Sequence, residues 1–174
     1  MKSLDMETSP LIARIATKTS VNPKELERFI KFAIVGGIGA VVDFIVLNMM
    51  KILFEQVGLG VGWDIGLTPN QIQLIAANSI SFTTAVISNF TWNRLWTFPE
   101  SRDRPLVPQL LQFATVNVLG LIINTAILLL MDHYVFSVFF DHRISYNLAK
   151  AFAIGVVLFW NFGINRIWTY RGIE

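Results

Sequence analysis

The sequence contains one motif twice, and this duplication limits the folds open to the chain. Residues 88–98 read SNFTWNRLWTF and residues 160–170 read WNFGINRIWTY, with six of eleven positions identical. A weaker copy lies upstream, where FAIVGGIG at 32–39 returns as FATVNVLG at 113–120. The upstream copies are 81 residues apart and the downstream copies 72, so the first repeat carries nine extra residues in its internal loop. Each repeat contains two long apolar stretches, which predicts a duplicated pair of membrane helices.

Composition supports membrane helices. Hydrophobic residues make up 53% of the 174 residues and charged residues only 15%. Four apolar windows, at 32–54, 72–92, 110–131 and 144–164, are each long enough to cross a bilayer core, which takes about 20 residues. A soluble four-helix bundle is the alternative, but its helices would carry charged stripes that these windows lack.

The predicted fold is therefore an all-α membrane protein with four transmembrane helices, built as two parallel-repeat helical hairpins. Residues 1–22 are predicted to form a cytoplasmic tail and residues 23–174 the transmembrane domain, with repeat one at 28–98 and repeat two at 109–170. Two helix starts are visible in this domain. Residues 22–25 and 68–71 each place Asn or Thr before a proline and end on Glu or Gln, which is typical of a capped N-terminus.

Basic residues predict the orientation. Eleven of the fourteen fall in the N-terminal segment, the central connection and the C-terminus, which share one side of a four-span chain. Since cytoplasmic loops carry the excess of Lys and Arg, both termini are expected on the cytoplasmic side. The expected localisation is the cytoplasmic (inner) membrane, as a multi-pass protein. The net charge of +2 then reflects orientation and predicts no nucleic-acid partner. The first thirty residues lack the apolar core of a signal peptide, and the chain has no cysteine.

Polar residues lie inside the predicted spans at helical spacing. Asp43, Asn78, Asn124 and Lys150 each belong to such a polar stripe. Asn and small residues often join membrane helices to one another. Asp43 fits that explanation poorly, because it lies about 18 Å beyond Lys31 and so near the bilayer centre, where an acid is costly. Two interpretations stay open, a structural Asp43–Lys150 pair and a polar path for a ligand.

The repeated motifs, here called the exit motifs (residues 89–98 and 161–170), lie where the second and fourth spans reach the cytoplasm. Arg and Trp at such a place can simply anchor a helix end. Anchoring does not require two Asn residues one turn apart, and two arginines with nearby amides suit a lipid phosphate. The predicted lipid-phosphate or substrate-binding residues are Asn89, Asn93, Arg94, Trp96, Asn161, Asn165, Arg166 and Trp168.

No catalytic or metal site is expected. His133 and His142 flank the second outer loop, but a metal site needs more ligands than these two. The sequence offers no nucleotide-sugar domain, acidic metal-binding pair or nucleophile constellation, so we expect no enzyme activity and no cofactor.

The motif RFIKFAIVGG at 28–37, together with the two exit motifs, resembles the GtrA-like family of small bacterial and archaeal membrane proteins. The resemblance covers about residues 28–171. It departs from the family pattern at Tyr170, where the motif ends in Phe, and in a long first outer loop. It implies a role in cell-surface polysaccharide or glycolipid synthesis, with the exit motifs meeting the phosphate of a polyprenyl-phosphate-linked sugar.

Three functions are compared on this basis. The leading one is translocation, or flipping, of a polyprenyl-phosphate-linked sugar across the membrane. The alternative is a non-transporting scaffold or subunit of a polyprenyl-phosphate glycosyltransferase. A small multidrug exporter would place a Glu in the first span, where this chain has Asp43 instead. The expected partners are the lipid-linked sugar, membrane lipids, a glycosyltransferase and a second copy of the chain, because four spans are few for a complete path.

Overall fold

The computed structural model describes residues 22–172, and this part of the chain consists of helices and their connections, with no strand. The all-α class is confirmed for these residues, whereas the predicted tail lies outside them apart from Asn22. The long helices are α1 (Pro23–Gln56), α2 (Pro69–Trp92), α3 (Leu106–Leu130) and α4 (His142–Ile164). Single π-helical turns cover Asn93–Thr97, Met131–Val135 and Asn165–Thr169, and 3₁₀ turns cover Pro99–Asp103 and Phe136–Val138.

The first compact unit, which ends at Pro99, is a hairpin of α1 and α2. Both helices begin where the sequence predicts. Asn22 accepts a hydrogen bond from the Lys24 backbone N–H at 3.0 Å, and Thr68 and Gln71 form a reciprocal capping box. Small residues let the two helices approach closely. The buried residues between them include Phe32, Val35, Gly39, Ala77, Ser81, Ala85 and Phe90.

The second compact unit, which begins at Glu100, is a hairpin of α3 and α4. Asp141 caps α4 by accepting from the backbone N–H groups of Arg143 and Ile144 at 3.0 and 3.2 Å. Its buried residues include Phe113, Val116, Gly120, Ala149, Ala153 and Tyr170. A large aromatic residue and a glycine are therefore buried one to two turns apart in α3, as in α1.

The hairpins differ in how their helices are connected. Residues 57–68 join α1 to α2, whereas the helical path of α3 continues through the π and 3₁₀ turns to Val138 and leaves only residues 139–141 as a connection. The nine extra residues of the first repeat thus lie in its connection. Glycines with positive φ shape that loop, and at Gly60 a Cβ atom would come within 2.8 Å of Ile72 Cδ1.

The outer faces of the helices are apolar and uncovered. Phe44, Leu129 and Phe159 are each more than 60% exposed, a pattern suited to lipid rather than water. Among the described residues three helical segments are long and apolar enough to cross a membrane, namely Pro23–Gln56, Leu106–Val138 and His142–Thr169. Helix α2 carries no charge, but its Ser, Thr, Asn and Gln residues lower its hydropathy. The predicted count of four spans is thus supported for three helices, and the fourth stays a prediction.

Candidate functional site

The two exit motifs adopt the same backbone conformation. In each, the long helix passes into a π turn, in which Asn93 O accepts from Phe98 N at 2.7 Å and Asn165 O accepts from Tyr170 N at 2.8 Å. These are i→i+5 hydrogen bonds, which widen the helix by one residue per turn. Such turns are rare and occur frequently at functional sites.

Burial separates the residues of each exit motif into an inner and an outer set. The inner set is almost fully buried and consists of Asn93, Thr97, Asn165 and Thr169. The outer set is half-buried or exposed and consists of Arg94, Trp96, Arg166 and Trp168. The arginines and tryptophans are therefore the motif residues placed where a ligand at the helix end can reach them.

Two cations of α1 lie beside the first exit motif. The Lys31 ammonium is 5.7 Å from the centre of the Trp96 ring and 2.6 Å from a carboxylate oxygen of Glu27. The Arg28 guanidinium is 6.0 Å from the centre of the Phe98 ring. Sequence reasoning treated both residues as orientation signals and missed this contact, although both belong to the 28–37 motif that carries the family resemblance.

The second exit motif is held by hydrogen bonds among its own residues, from Gln109 of α3 and from Arg104 just before α3. The Thr169 hydroxyl donates to Asn165 Oδ1 at 2.7 Å, and Asn165 Nδ2 donates to the Asn161 carbonyl at 2.8 Å. The Thr169 carbonyl accepts from Gln109 Nε2 at 3.2 Å and from Arg104 Nη1. The side chains of Asn165 and Thr169, the two buried polar residues of this π turn, are therefore hydrogen-bonded to each other.

The first asparagine of each exit motif lies inside its hairpin, away from the arginine. A Cβ atom added to Gly39 would stand 2.1 Å from Asn89 Oδ1, and one added to Gly120 would stand 2.6 Å from Asn161 Oδ1. Both amides thus lie in close contact with a glycine of the neighbouring helix. The structure brings Asn89 and Asn161 to equivalent places and gives them surroundings unlike those of the arginines.

The intramembrane residues Asp43 and Asn124 occupy matching positions, four residues after Gly39 and Gly120. Both are half-buried. In each, Oδ1 is buried and has no hydrogen-bond partner within the described part of the chain, and the same holds for Oδ1 of Asn89 and of Asn161. Each hairpin thus contains, at matching positions, a pair of buried acceptor oxygens without a donor among the described residues.

The other two intramembrane residues lie outside this group. Asn78 and Lys150, which also match in the repeat, are both exposed within their own hairpins. The alternative pairing of Asp43 with Lys150 would join the two units and stays a prediction. Residues 22–172 contain no group of three or more His, Cys, Asp or Glu side chains that could hold a metal ion.

Two comparisons with known proteins bear on this arrangement. The dolichol-phosphate mannosyltransferase of Pyrococcus furiosus is 31% identical to the chain over 100 residues, which is 58% of this chain and 24% of that enzyme. The chain therefore spans about a quarter of this relative. The model of the GtrA/DPMS transmembrane domain family matches residues 31–170, which include both hairpins and both exit motifs. This match covers most of the described helices, and the chain accordingly belongs to the GtrA/DPMS transmembrane domain family of membrane proteins.

Proposed function

We propose that this protein moves a polyprenyl-phosphate-linked sugar across the cytoplasmic membrane for cell-surface polysaccharide or glycolipid synthesis. The observation that carries the proposal is the pair of matching π-helical ends, each presenting an accessible arginine and tryptophan beside buried asparagine. The relative's name supports the ligand class, since dolichol phosphate is a polyprenyl phosphate and mannose is a sugar.

The arginines suit a lipid phosphate better than a simple helix anchor requires. A guanidinium presents a planar fork that bonds two phosphate oxygens at once, whereas lysine offers a point charge. Half-burial of Arg94 and Arg166 reduces competition from water at a helix end. Beside the first arginine, Lys31 over Trp96 adds a second cation to the same helix end.

The proposal includes a fourth span at α2, with both termini in the cytoplasm. Four hydroxyls of α2, those of Ser79, Thr83, Thr84 and Thr91, donate to carbonyls of their own helix at 2.7–2.8 Å. Because these hydroxyls already donate hydrogen bonds, placing α2 in lipid costs less free energy than its composition suggests. The 24 residues of α2 extend about 36 Å, enough for a bilayer core.

Cysteine labelling tests the fourth span. The chain has no natural cysteine, so Asp64→Cys in the first connection and Asp103→Cys after α2 are the only thiols in their variants, and both positions are exposed. An impermeant thiol reagent added to right-side-out vesicles is expected to label Asp64→Cys and to label Asp103→Cys only after lysis. Labelling of both from outside would show that α2 does not cross.

The second candidate function is a non-transporting scaffold or subunit of a polyprenyl-phosphate glycosyltransferase. The matched relative is an enzyme of that kind by name, and this chain fits a membrane part that holds the lipid for a separate catalytic partner. In both candidates the chain itself performs no catalysis. A second copy of the chain would supply the wider path that translocation needs.

Reconstitution separates the two candidates. The protein alone is placed in proteoliposomes with a radiolabelled polyprenyl-phosphate hexose, and the fraction of lipid reached by an external sugar-oxidising reagent is followed over time. We expect the parent to speed transfer and the Arg94→Lys and Arg166→Lys variants to slow it about tenfold or more, since lysine loses the bidentate contact. Arg102→Lys, an exposed arginine outside the motifs, is the matched control.

Each outcome decides something. Binding of the lipid without transfer supports the scaffold. Full activity in both motif variants, at matched protein levels, would show that the arginines are anchors and that the phosphate site is wrongly assigned.

A further inference from the structure

Buried acceptor oxygens without donors occur at the same place in both hairpins. Oδ1 of Asp43 and of Asn89 in the first hairpin, and Oδ1 of Asn124 and of Asn161 in the second, are covered and accept no hydrogen bond from any described residue. A buried polar atom of this kind is costly, and more so in a membrane segment, where water does not complete the bonding.

Helix joining does not explain these oxygens. An asparagine that links two helices donates and accepts across the contact, so that its polar atoms are satisfied. Here Gly39 and Gly120 admit the amides of Asn89 and Asn161 to close contact, yet the amide oxygens stay without a donor among residues 22–172. In each hairpin, therefore, a glycine makes room for an asparagine amide, and the oxygen of that amide accepts no hydrogen bond from a described residue.

The chemistry of these four oxygens indicates which ligand group could hydrogen-bond to them. Oxygens of a carboxyl and of amides accept hydrogen bonds, and they repel a phosphate, which at neutral pH also offers mainly acceptors. Sugar hydroxyls, in contrast, are donors. The arginines of the exit motifs are cationic donors suited to phosphate. The two sets of residues therefore suit different parts of one glycolipid.

We propose that each hairpin carries its own sugar-selecting pair: Asp43 and Asn89 within the first hairpin, and Asn124 and Asn161 within the second, accept hydrogen bonds from hydroxyls of a lipid-linked sugar. The inference rests on the proposed function and assigns Asn89 and Asn161 to the sugar instead of the phosphate. All four residues are half-buried, so part of each residue lies at the surface of its own hairpin.

The test compares a sugar-bearing lipid with the bare lipid. The full chain in detergent is titrated with dolichyl phosphate and with dolichyl phosphate carrying mannose or glucose, and the preference is the affinity for the better glycolipid divided by that for the bare lipid. Asn89→Leu and Asp43→Leu have Asn48→Leu as control, because Asn48 is exposed and its amide donates within its own helix. Asn161→Leu has Asn147→Leu as control for the same reason.

We expect the parent to prefer a glycolipid about tenfold or more, and each of the three Leu variants to lose most of that preference while binding bare dolichyl phosphate normally. Asp43→Asn keeps an acceptor oxygen, as Asn124 does in the second hairpin, and is expected to retain the preference. Retention by Asp43→Asn together with loss in Asp43→Leu distinguishes an acceptor from a merely structural carboxyl.

The inference and the proposed function fail in different ways. If the Leu variants keep the preference for the glycolipid, or bind both lipids more weakly by the same factor, the sugar assignment is overturned and the phosphate site stands. If Arg94→Lys and Arg166→Lys bind bare dolichyl phosphate as the parent does, the phosphate site is wrong, whatever the Leu variants show. Should Asn89→Leu fail to fold, the Asp43 pair of variants decides the question.

Discussion

The two exit motifs share sequence and backbone but differ in the state of their buried polar groups. In the second motif the Thr169 hydroxyl donates to Asn165 Oδ1 at 2.7 Å. In the first, the matching atoms, Thr97 Oγ1 and Asn93 Oδ1, are buried and without a hydrogen-bond partner among the described residues. The threonine and asparagine of the second π turn are thus hydrogen-bonded to each other, whereas the matching atoms of the first π turn have no partner among the described residues.

The residue that the first helix of each hairpin places against the motif also differs. In the second hairpin Gln109 donates to the Thr169 carbonyl and so fixes the residue that carries the hydroxyl. The matching position of the first hairpin is occupied by Arg28, which is buried, pairs with Glu25 at 2.6 Å and faces the Phe98 ring. Similar motifs therefore do not guarantee identical surroundings, because a residue 60 positions away in the sequence contacts one of them.

The largest losses of stability are expected from Gly39→Ala in the first hairpin and Gly120→Ala in the second. The new Cβ would stand 2.1 Å from the Asn89 amide in the first hairpin and 2.6 Å from the Asn161 amide in the second. Overpacking of this kind costs about 1–3 kcal/mol, and we expect Gly39→Ala at the upper end and Gly120→Ala about 1 kcal/mol below it. Unfolding of the purified protein in mild detergent measures both.

Gly36→Ala is the matched control, since no atom lies within 4 Å of its added Cβ and alanine favours the helix. Combining Gly39→Ala with Asn89→Ala is expected to recover stability by removing the atoms that collide. Equal losses of unfolding free energy in Gly39→Ala and Gly120→Ala would show that the asparagine amide relaxes freely in both hairpins. The hairpins would then not differ in this contact.

The helices and their starts were predictable because they depend on local sequence. Apolar windows set the four helices, and the caps at Asn22 and Thr68 depend on residues within three positions of each other. The match of the two exit motifs was visible for the same reason. The family assignment followed from these motifs and is confirmed by the match over residues 31–170.

The separation of the first asparagine of each exit motif from the arginine was not predictable, because it depends on contacts between helices. Sequence placed Asn89 with Arg94, whereas the structure packs Asn89 against Gly39 on another helix. Nothing within the exit motif signals that contact. The matching spacing of Gly39 to Asp43 and of Gly120 to Asn124 is present in the sequence and is the signal that could have identified the acceptor oxygens.

A smaller loss of stability is expected at the buried asparagine of each exit motif. Asn165→Leu removes the acceptor of the Thr169 hydroxyl and the donor to the Asn161 carbonyl, and leaves buried polar groups unpaired. We expect it to lower the free energy of unfolding by about 1–2 kcal/mol. Asn93→Leu removes an oxygen that has no partner among the described residues, so its loss is expected to stay under about 0.5 kcal/mol.

Threonine variants complete this comparison. Thr169→Val, added to Asn165→Leu, removes the hydroxyl that the first change leaves unpaired and is expected to recover about half of the lost stability. Thr97→Val, added to Asn93→Leu, is expected to change little. Denaturant unfolding in detergent measures these four variants and the single variants Thr169→Val and Thr97→Val, which the coupling energies require. A coupling energy between Asn93 and Thr97 as large as that between Asn165 and Thr169 would mean that the two side chains hydrogen-bond to each other in both motifs. The polar groups of the first motif would then not be available to a ligand.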